Sequence, residues 1–251
     1  MAEEPQIQEI VLEAPEGVVI KKEQDESKWK PKTELGRKVK LGELTTLEQA
    51  LHNDRKILEA EIIDTLVKDI QSDLLNIGQS KGKFGGGKRS IWRQTQKKTC
   101  EGNKPKFAAL AVVGDKNGYI GIGHGKAKET MPAREKAIRQ AKLNIISIRR
   151  GCGAWDCSCN SPHSVPFKVS GKCGSAKIIL IPAARGTGLC VEKECRKILD
   201  FAGIKDVYAK TFNSKTKLNL IYACFAALKA LSTTKVQPHY EQSLGMVGKN
   251  E

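Results

Sequence analysis

The sequence predicts an α+β protein of two domains, an α-β-β-β-α unit followed by a β-β-α-β-α two-layer sandwich. Three observations carry that expectation. Residues 107–148 read as a hairpin and a helix. Residues 165–231 repeat the alternation of short apolar strands and amphipathic helices. Between them lies RRGCGAWDCSCNSPH, whose cysteines, glycines and proline mark a boundary rather than an element. The expected division is 1–60 as acidic tail and surface-lying extension, 61–150 as first domain, 151–164 as Cys-rich linker, 165–235 as second domain and 236–251 as tail.

Residues 1–27 are acidic and lack sustained periodicity. The basic run Trp29-Lys30-Pro31-Lys32-Thr33, continuing to Gly42, is expected to lie along a partner's surface. Leu47, Ala50 and Leu51 suggest a short helix. Ile62, Ile63, Leu66, Ile70, Leu74 and Ile77 recur at helical spacing, predicting an amphipathic helix ended by Gly78. Residues 79–106 hold nine cations (Lys81, Lys83, Lys88, Arg89, Arg93, Lys97, Lys98, Lys104, Lys106) against Glu101, with a strand expected over Ser90 to Lys97. That density fits a phosphate contact ordered on binding better than a linker.

Phe107 to Val113 is an apolar run, and Tyr119, Ile120 and Ile122 begin another. Between them Asn117-Gly118 is expected to supply the positive φ angles of a tight hairpin. Gly121, Gly123 and Gly125 follow, where a missing side chain lets another backbone or a phosphate approach. Thr130 is the expected cap of a helix with Pro132 in its first turn and Ala133, Ala137, Ile138, Ala141, Ile145 and Ile148 along one face. The element order of this domain is that of double-stranded-RNA-binding modules, which read duplex shape and phosphates.

The second domain opens with Val165, Phe167 and Val169 alternating, turns at Gly171 to Gly174 and continues in a strand Lys177 to Ile181. After Arg185-Gly186-Thr187-Gly188 a helix points Val191, Cys195, Ile198, Leu199 and Ala202 inward and stops at Gly203. Val207 to Phe212 reads as a strand. Lys217 to Leu231 reads as a helix with a broad apolar face.

Charge narrows the class. Net charge is +15, from 43 Lys plus Arg against 28 Asp plus Glu. Residues 1–27 contribute −6 (eight acids, two lysines), leaving +21 for the remainder. So cationic a body calls for a polyanion, and nucleic acid is the expected one. No apolar run reaches the roughly 18 residues of a membrane span. The acidic N-terminus lacks the features of a signal peptide, so no membrane partner is expected.

Enzymatic signatures fail on inspection. A dinucleotide fingerprint needs glycine where Lys126 stands, and a P-loop needs glycine and Ser/Thr where Ile120 and Ala127 stand. The run Gly123-His124-Gly125-Lys126-Ala127-Lys128 still suits an RNA backbone. His52, His124, His163 and His239 lie in separate segments, and no catalytic triad or carboxylate pair emerges. Cys152, Cys157, Cys159, His163 and Cys173 have the spacing C-x4-C-x-C-x3-H-x9-C. The first four offer a zinc ligand set, with Cys173 free to sit on another hairpin; reduced, unligated thiols are the alternative. No other cofactor is expected. Cys–His nucleophilic catalysis would need an orienting third group and a cleft.

The runs AVVGDKNGYIGIGHGKAKE, AREKAIRQAKLNII, RRG and PHSVPFKVSGKCGSAKIILIPAARGTGL, in that order, resemble the universal small-subunit ribosomal protein family called S-five in bacteria. The Cys-x-Cys-x3-His insertion and the Trp29-x-Pro31-x-Thr33-x-Leu35-Gly36-Arg37 segment resemble its archaeal and eukaryotic branch, the archaeal more closely. The resemblance spans about Trp29 to Leu231. It implies a double-stranded-RNA-binding-like domain followed by an α+β domain containing a left-handed β-α-β crossover. It implies a cytoplasmic, non-enzymatic component of the small ribosomal subunit, with ribosomal RNA, neighbouring small-subunit proteins and incoming messenger RNA as partners and effects on decoding fidelity and assembly. Carried onto this chain, the hairpin turn (Asn117, Gly118), the Gly-rich run with His124, Lys126 and Lys128, and the loop before Phe107 (Asn103, Lys104, Lys106) would meet RNA. Arg149, Arg150, Lys172 and Arg185 are expected to contact RNA as well. Two non-ribosomal readings stay open on the residues alone: a free double-stranded-RNA adaptor and an RNA-processing enzyme.

Overall fold

In a computed structural model of the chain, residues 29–51, 56–79 and 89–248 are described. The acidic stretch 1–27, and Lys81, Lys83 and Lys88, lie outside the described residues.

The described part of the extension packs against the first domain. Helices α1 (Glu34–Lys40) and α2 (Leu47–Leu51) precede α3 (Glu61–Leu66). Thr33 caps α1 by accepting from the Gly36 amide at 3.1 Å. Val39, Leu47, Ala50 and Ile57 then pack on Ile62, Ile63 and Ile145, with Trp29 at the edge. Glu59 closes this small core. Its Oε1 accepts from the Lys32 and Thr33 amides at 2.8 and 2.6 Å, and its Oε2 from Trp29 Nε1 at 2.9 Å.

The long helix expected over 62–77 is two elements. It stops at Leu66, and Val67 has extended backbone (φ −124°, ψ 107°). Strand β1 (Gln71–Leu75) then pairs antiparallel with β3 (Gly102–Gly114), from Gln71 opposite Gly114 to Leu75 opposite Leu110. Strand β2 (Arg93–Thr99) pairs with the first half of β3, Arg93 opposite Ala108 and Thr99 opposite Gly102. Asn103, Lys104 and Lys106 thus belong to a strand and not to a loop. Strand β4 (Tyr119–Ala127) takes the other edge of β3, and β5 (Ile145–Ser147) pairs with β4. The order is therefore α-β-β-β-β-α-β. Helix α4 (Thr130–Leu143) starts one residue after Glu129, which occupies the cap position expected of Thr130 without a side-chain bond. It ends before Ile145 and Ile148, which lie beyond the helix.

The two faces of this sheet have different neighbours. Ala109, Ala111 and Val113 face α4 through Ala137 and Ala141. Leu110, Val112, Ile120 and Ile122 face the second domain and share one core with it. Each such fully buried Leu or Ile contributes about 1.5–3 kcal/mol.

The second domain has strands β6 (Val169–Cys173), β7 (Ala176–Pro182), β8 (Leu189–Cys190) and β9 (Val207–Phe212) in the order β6-β7-β9-β8. Strands β8 and β9 are parallel and are joined by α5 (Lys193–Phe201). The two-residue β8 is an addition to the expected β-β-α-β-α. Residues 165–168 precede the first strand instead of belonging to it. Helix α6 (Lys217–Thr233) buries Leu220, Ile221, Ala223, Cys224, Ala227, Leu228 and Leu231.

The domains are pinned as well as packed. Glu194 of α5, almost wholly buried, accepts from the Asn76 amide at 2.9 Å and its side chain at 3.2 Å. Lys197 reaches Asp73 at 2.7 Å. The C-terminal stretch expected as a tail is also fixed. Helix α7 (Pro238–Ser243) is followed by Val247, which exchanges two 2.9 Å backbone bonds with Arg150, while Leu244 accepts from the Cys152 amide at 2.8 Å.

Candidate nucleic-acid interface

In a strand every second side chain shares a face, and directly opposed residues face the same way. The registers Arg93–Ala108, Thr95–Lys106, Lys97–Lys104, Ala108–Lys126 and Leu110–His124 therefore put Arg93, Lys97, Lys104, Lys106, His124 and Lys126 on one face. All six are exposed. It is the same face that, further along, buries Leu110, Val112, Ile120 and Ile122. The sheet thus changes at His124 from an apolar half covered by the second domain to a bare cationic half. Strand β4 ends opposite Phe107, so residues 95–99 and 102–106 form a two-stranded arm beyond it.

The arm concentrates like charge. Lys97 stands directly opposite Lys104, an unfavourable pairing in the absence of an anion. Glu101 at the turn answers it by accepting from Lys104 at 2.6 Å. Partial desolvation of the ring first, then Lys126 and Arg93, pushes the His124 imidazole below its ordinary value. The lowered imidazole registers the positive field of this face. Arg89, Lys98 and Lys128 are exposed too; Lys98 points to the opposite face, since its register partner is Asn103.

Of the two approaches expected at the glycines, another backbone or a phosphate, the structure shows the first. A Cβ on Gly121 would stand 2.2 Å from the Ala141 carbonyl oxygen, on Gly123 2.1 Å from the Ala141 nitrogen, and on Gly125 2.2 Å from the Ala133 carbonyl oxygen. All three face α4, and they let the helix lie directly on the strand. No phosphate can reach them. Gly171 repeats the device against α6, with its Cβ position 2.1 Å from the Ala223 carbonyl oxygen.

Two expected RNA ligands point inward. Arg149 is buried and donates to the Thr234 carbonyl at 2.7 Å. Arg150 donates to the carbonyls of Asn117 at 2.7 Å and of Lys116 and Gly203 at 3.4 Å, and burial lowers its pKa. It ties the 115–118 turn to the second domain, where the Lys116 amide also donates to the Phe201 carbonyl at 3.1 Å. The turn itself has Lys116 and Gly118 at positive φ (60° and 117°); Asn117 does not share it. Asn117 is exposed, but its carbonyl serves Arg150.

Lys172 and Arg185 lie apart from the arm. Lys172 sits in β6 opposite Lys177, on the face of the second sheet turned away from α6, and Arg185 is exposed in the turn before β8. Sequence reading missed the remainder of that outer face: Lys177, Lys210, and the half-exposed Tyr208 and Phe212. The period-2 alternation of KIILI and VYAKTF was the signal for it.

Cys152, Cys157, Cys159 and His163 do come together, their ligand atoms all within 4.8 Å of one another. Cys173 lies outside this group, in β6. Cys157 Sγ is 3.9 Å from His163 Nε2, and Ser161 Oγ donates to Cys159 Sγ at 3.1 Å.

Comparison with known proteins agrees with the layout. Family profiles described as "Ribosomal protein S5, N-terminal domain" and "Ribosomal protein S5, C-terminal domain" match residues 91–149 and 171–239. A Nanoarchaeum equitans protein named small ribosomal subunit protein uS5 is 46% identical over 213 residues, 84% of this chain and 91% of its own. Proteins of the same name from Methanocaldococcus jannaschii and Picrophilus torridus are 43% and 40% identical. The first covers 87% of this chain and 94% of its own; the second covers 90% and 99%.

Proposed function

The chain belongs to the ribosomal protein S5 family, and from that premise we propose that it is a structural component of the cytoplasmic small ribosomal subunit that holds ribosomal RNA on the cationic half of its first sheet. The family is one of ribosomal constituents and not of enzymes. The observation that carries the proposal is the one-sided placement of Arg93, Lys97, Lys104, Lys106 and Lys126 beside a lowered His124. Four of the five cations are lysines, which offer point charges without the planar fork of arginine. Such a surface contacts phosphates and shape, and leaves base identity unread. The antiparallel sheet backed by α4 supports the double-stranded-RNA-binding-like reading, with the correction that the preceding helix is shorter and that β1 and β5 bring the sheet to five strands.

Roles in decoding fidelity, in assembly and at the side where messenger RNA enters belong to the same proposal. What supports them is family membership together with an arm that extends past the body of the sheet while the body is pinned to the second domain through Arg150 and Glu194. Sucrose-gradient sedimentation of lysate tests the assignment. Stoichiometric presence in the small-subunit peak at low and high salt is expected. Absence from that peak, with binding to any A-form duplex, would instead identify a free adaptor.

A further inference from the structure

We propose that Cys152, Cys157, Cys159 and His163 bind one structural Zn2+, and that this ion fixes the turn at 185–188 through Asp206. Tetrahedral zinc with Zn–S bonds of about 2.3 Å separates neighbouring ligand atoms by about 3.8 Å. The corresponding sulfur–nitrogen edge is about 3.6 Å; the 3.9 Å between Cys157 Sγ and His163 Nε2 is close to it, and the whole quartet lies within 4.8 Å, a rotamer adjustment away. Three thiolates and one imidazole are a closed zinc set with no position left for substrate. Each thiol that ligates gives up its proton to solvent.

The second observation is independent of the ligand spacing. His163 Nδ1 lies 2.7 Å from Asp206 Oδ2, and both residues are buried. With its proton on Nδ1 donated to that carboxylate, the ring presents the Nε2 lone pair to the cysteines. That is the carboxylate–histidine arrangement which orients metal-bound imidazoles. The linker is built around the quartet: Gly151 and Ser164 pair across it through two backbone bonds of 3.0 and 3.1 Å, and Leu244 holds the Cys152 amide.

Asp206 carries the effect further. Its other oxygen accepts from the amides of Gly186 at 3.1 Å and Gly188 at 2.8 Å, the two positive-φ glycines (89° and 74°) that shape the turn bearing Arg185. An ion on Nε2 therefore fixes the ring, the ring fixes the carboxylate, and the carboxylate fixes the turn.

The test uses the full chain from zinc-replete cells, purified without chelator. One zinc per chain by elemental analysis is expected, and cobalt(II) added to stripped protein should give the intense visible bands of tetrahedral thiolate coordination. Asp206→Asn should weaken zinc binding by about 10–100-fold with the cobalt spectrum retained. Cys159→Ser should weaken it further and change the spectrum. Removing zinc from the unmutated chain should speed amide exchange at Gly186 and Gly188. Substoichiometric zinc together with no tetrahedral cobalt spectrum in the unmutated protein would overturn the site. Zinc binding with unchanged exchange at both glycines would overturn the coupling. Because the decisive readings use the unmutated chain, a variant that fails to fold does not blur the answer.

Discussion

Replacing Gly123 by alanine separates packing from RNA contact at the glycine run. The added Cβ would stand 2.1 Å from the Ala141 nitrogen and 2.3 Å from the Ala137 carbonyl oxygen. Both are backbone atoms of α4, so no side chain can be trimmed to make room. Restoring an ordinary 3.4 Å contact from 2.1 Å requires the helix to move out by about 1.3 Å, which loosens Ala137 and Ala141 from Ala109 and Ala111. Overpacking of this kind costs about 1–3 kcal/mol, and an unyielding backbone places this case at the upper end. For a chain of this size that is a fall of about 6–12 °C in melting temperature. The assay is thermal and urea unfolding of the full chain, beside RNA affinity of the folded protein. His124→Ala, on the opposite face, is the contrasting substitution: stability within about 0.5 kcal/mol of the parent and a change in RNA binding. If Gly123→Ala left the unfolding curve in place and weakened RNA binding, the packing explanation would be wrong and close phosphate approach restored.

The other predictions are briefer. Lys97, Lys106 and Lys126 changed together to Gln should lower the slope of log affinity against log salt for small-subunit RNA by about 2.7, at about 0.9 for each phosphate no longer neutralised. Lys168, Lys229 and Lys235, exposed lysines of the second domain before β6, in α6 and after it, changed likewise should leave the slope alone. An anion beside His124 opposes the field of Lys126 and Arg93, so its pKa should rise on binding RNA. Binding then takes up a proton and tightens as pH falls toward the free-protein pKa, which an NMR titration of the ring with and without RNA checks directly. Burial alone would raise the Glu59 carboxyl, but the amides of Thr33 and Lys32 and the Trp29 indole outweigh it and hold its pKa below the ordinary 4.5. A depressed acid contributes stability above its unfolded pKa and loses it as pH falls through the folded value. Glu59→Gln should therefore cost about 1–3 kcal/mol at pH 7 and progressively less in acid; an equal cost at pH 7 and pH 3 would refute the assignment.

Legibility in the sequence followed the range of the interactions. The second domain's strands and helices could be read because periodicity and stop signals agree locally: Gly203 at φ 77° ends α5, and Val207–Phe212 is a strand as expected. The 62–77 helix misled because Ile62, Ile63, Leu66, Ile70, Leu74 and Ile77 fit a period of 3.6 while the chain turns at Val67. Leu74 and Leu75 then enter different cores on opposite faces of a strand, a split that pairing with β3 imposes and local propensity cannot reveal. The glycine run was legible as a place of close approach, but the choice between a backbone and a phosphate was not, since it is decided only by Ala133, Ala137 and Ala141 of α4. The cationic stretch was found, whereas the inward turn of Arg149 and Arg150 depends on carbonyls as remote as Thr234 and Gly203. The cysteine spacing was legible. Asp206, 43 residues from His163, was not.

Photocrosslinking of assembled small subunits, followed by peptide mapping of the RNA adducts on this chain, tests the central claim most directly. Adducts concentrated on the peptides that carry Arg93 to Lys106 and His124 to Lys128 are predicted. Adducts confined to α4 or to the outer face of the second sheet, with none on the β2–β3 arm, would contradict it.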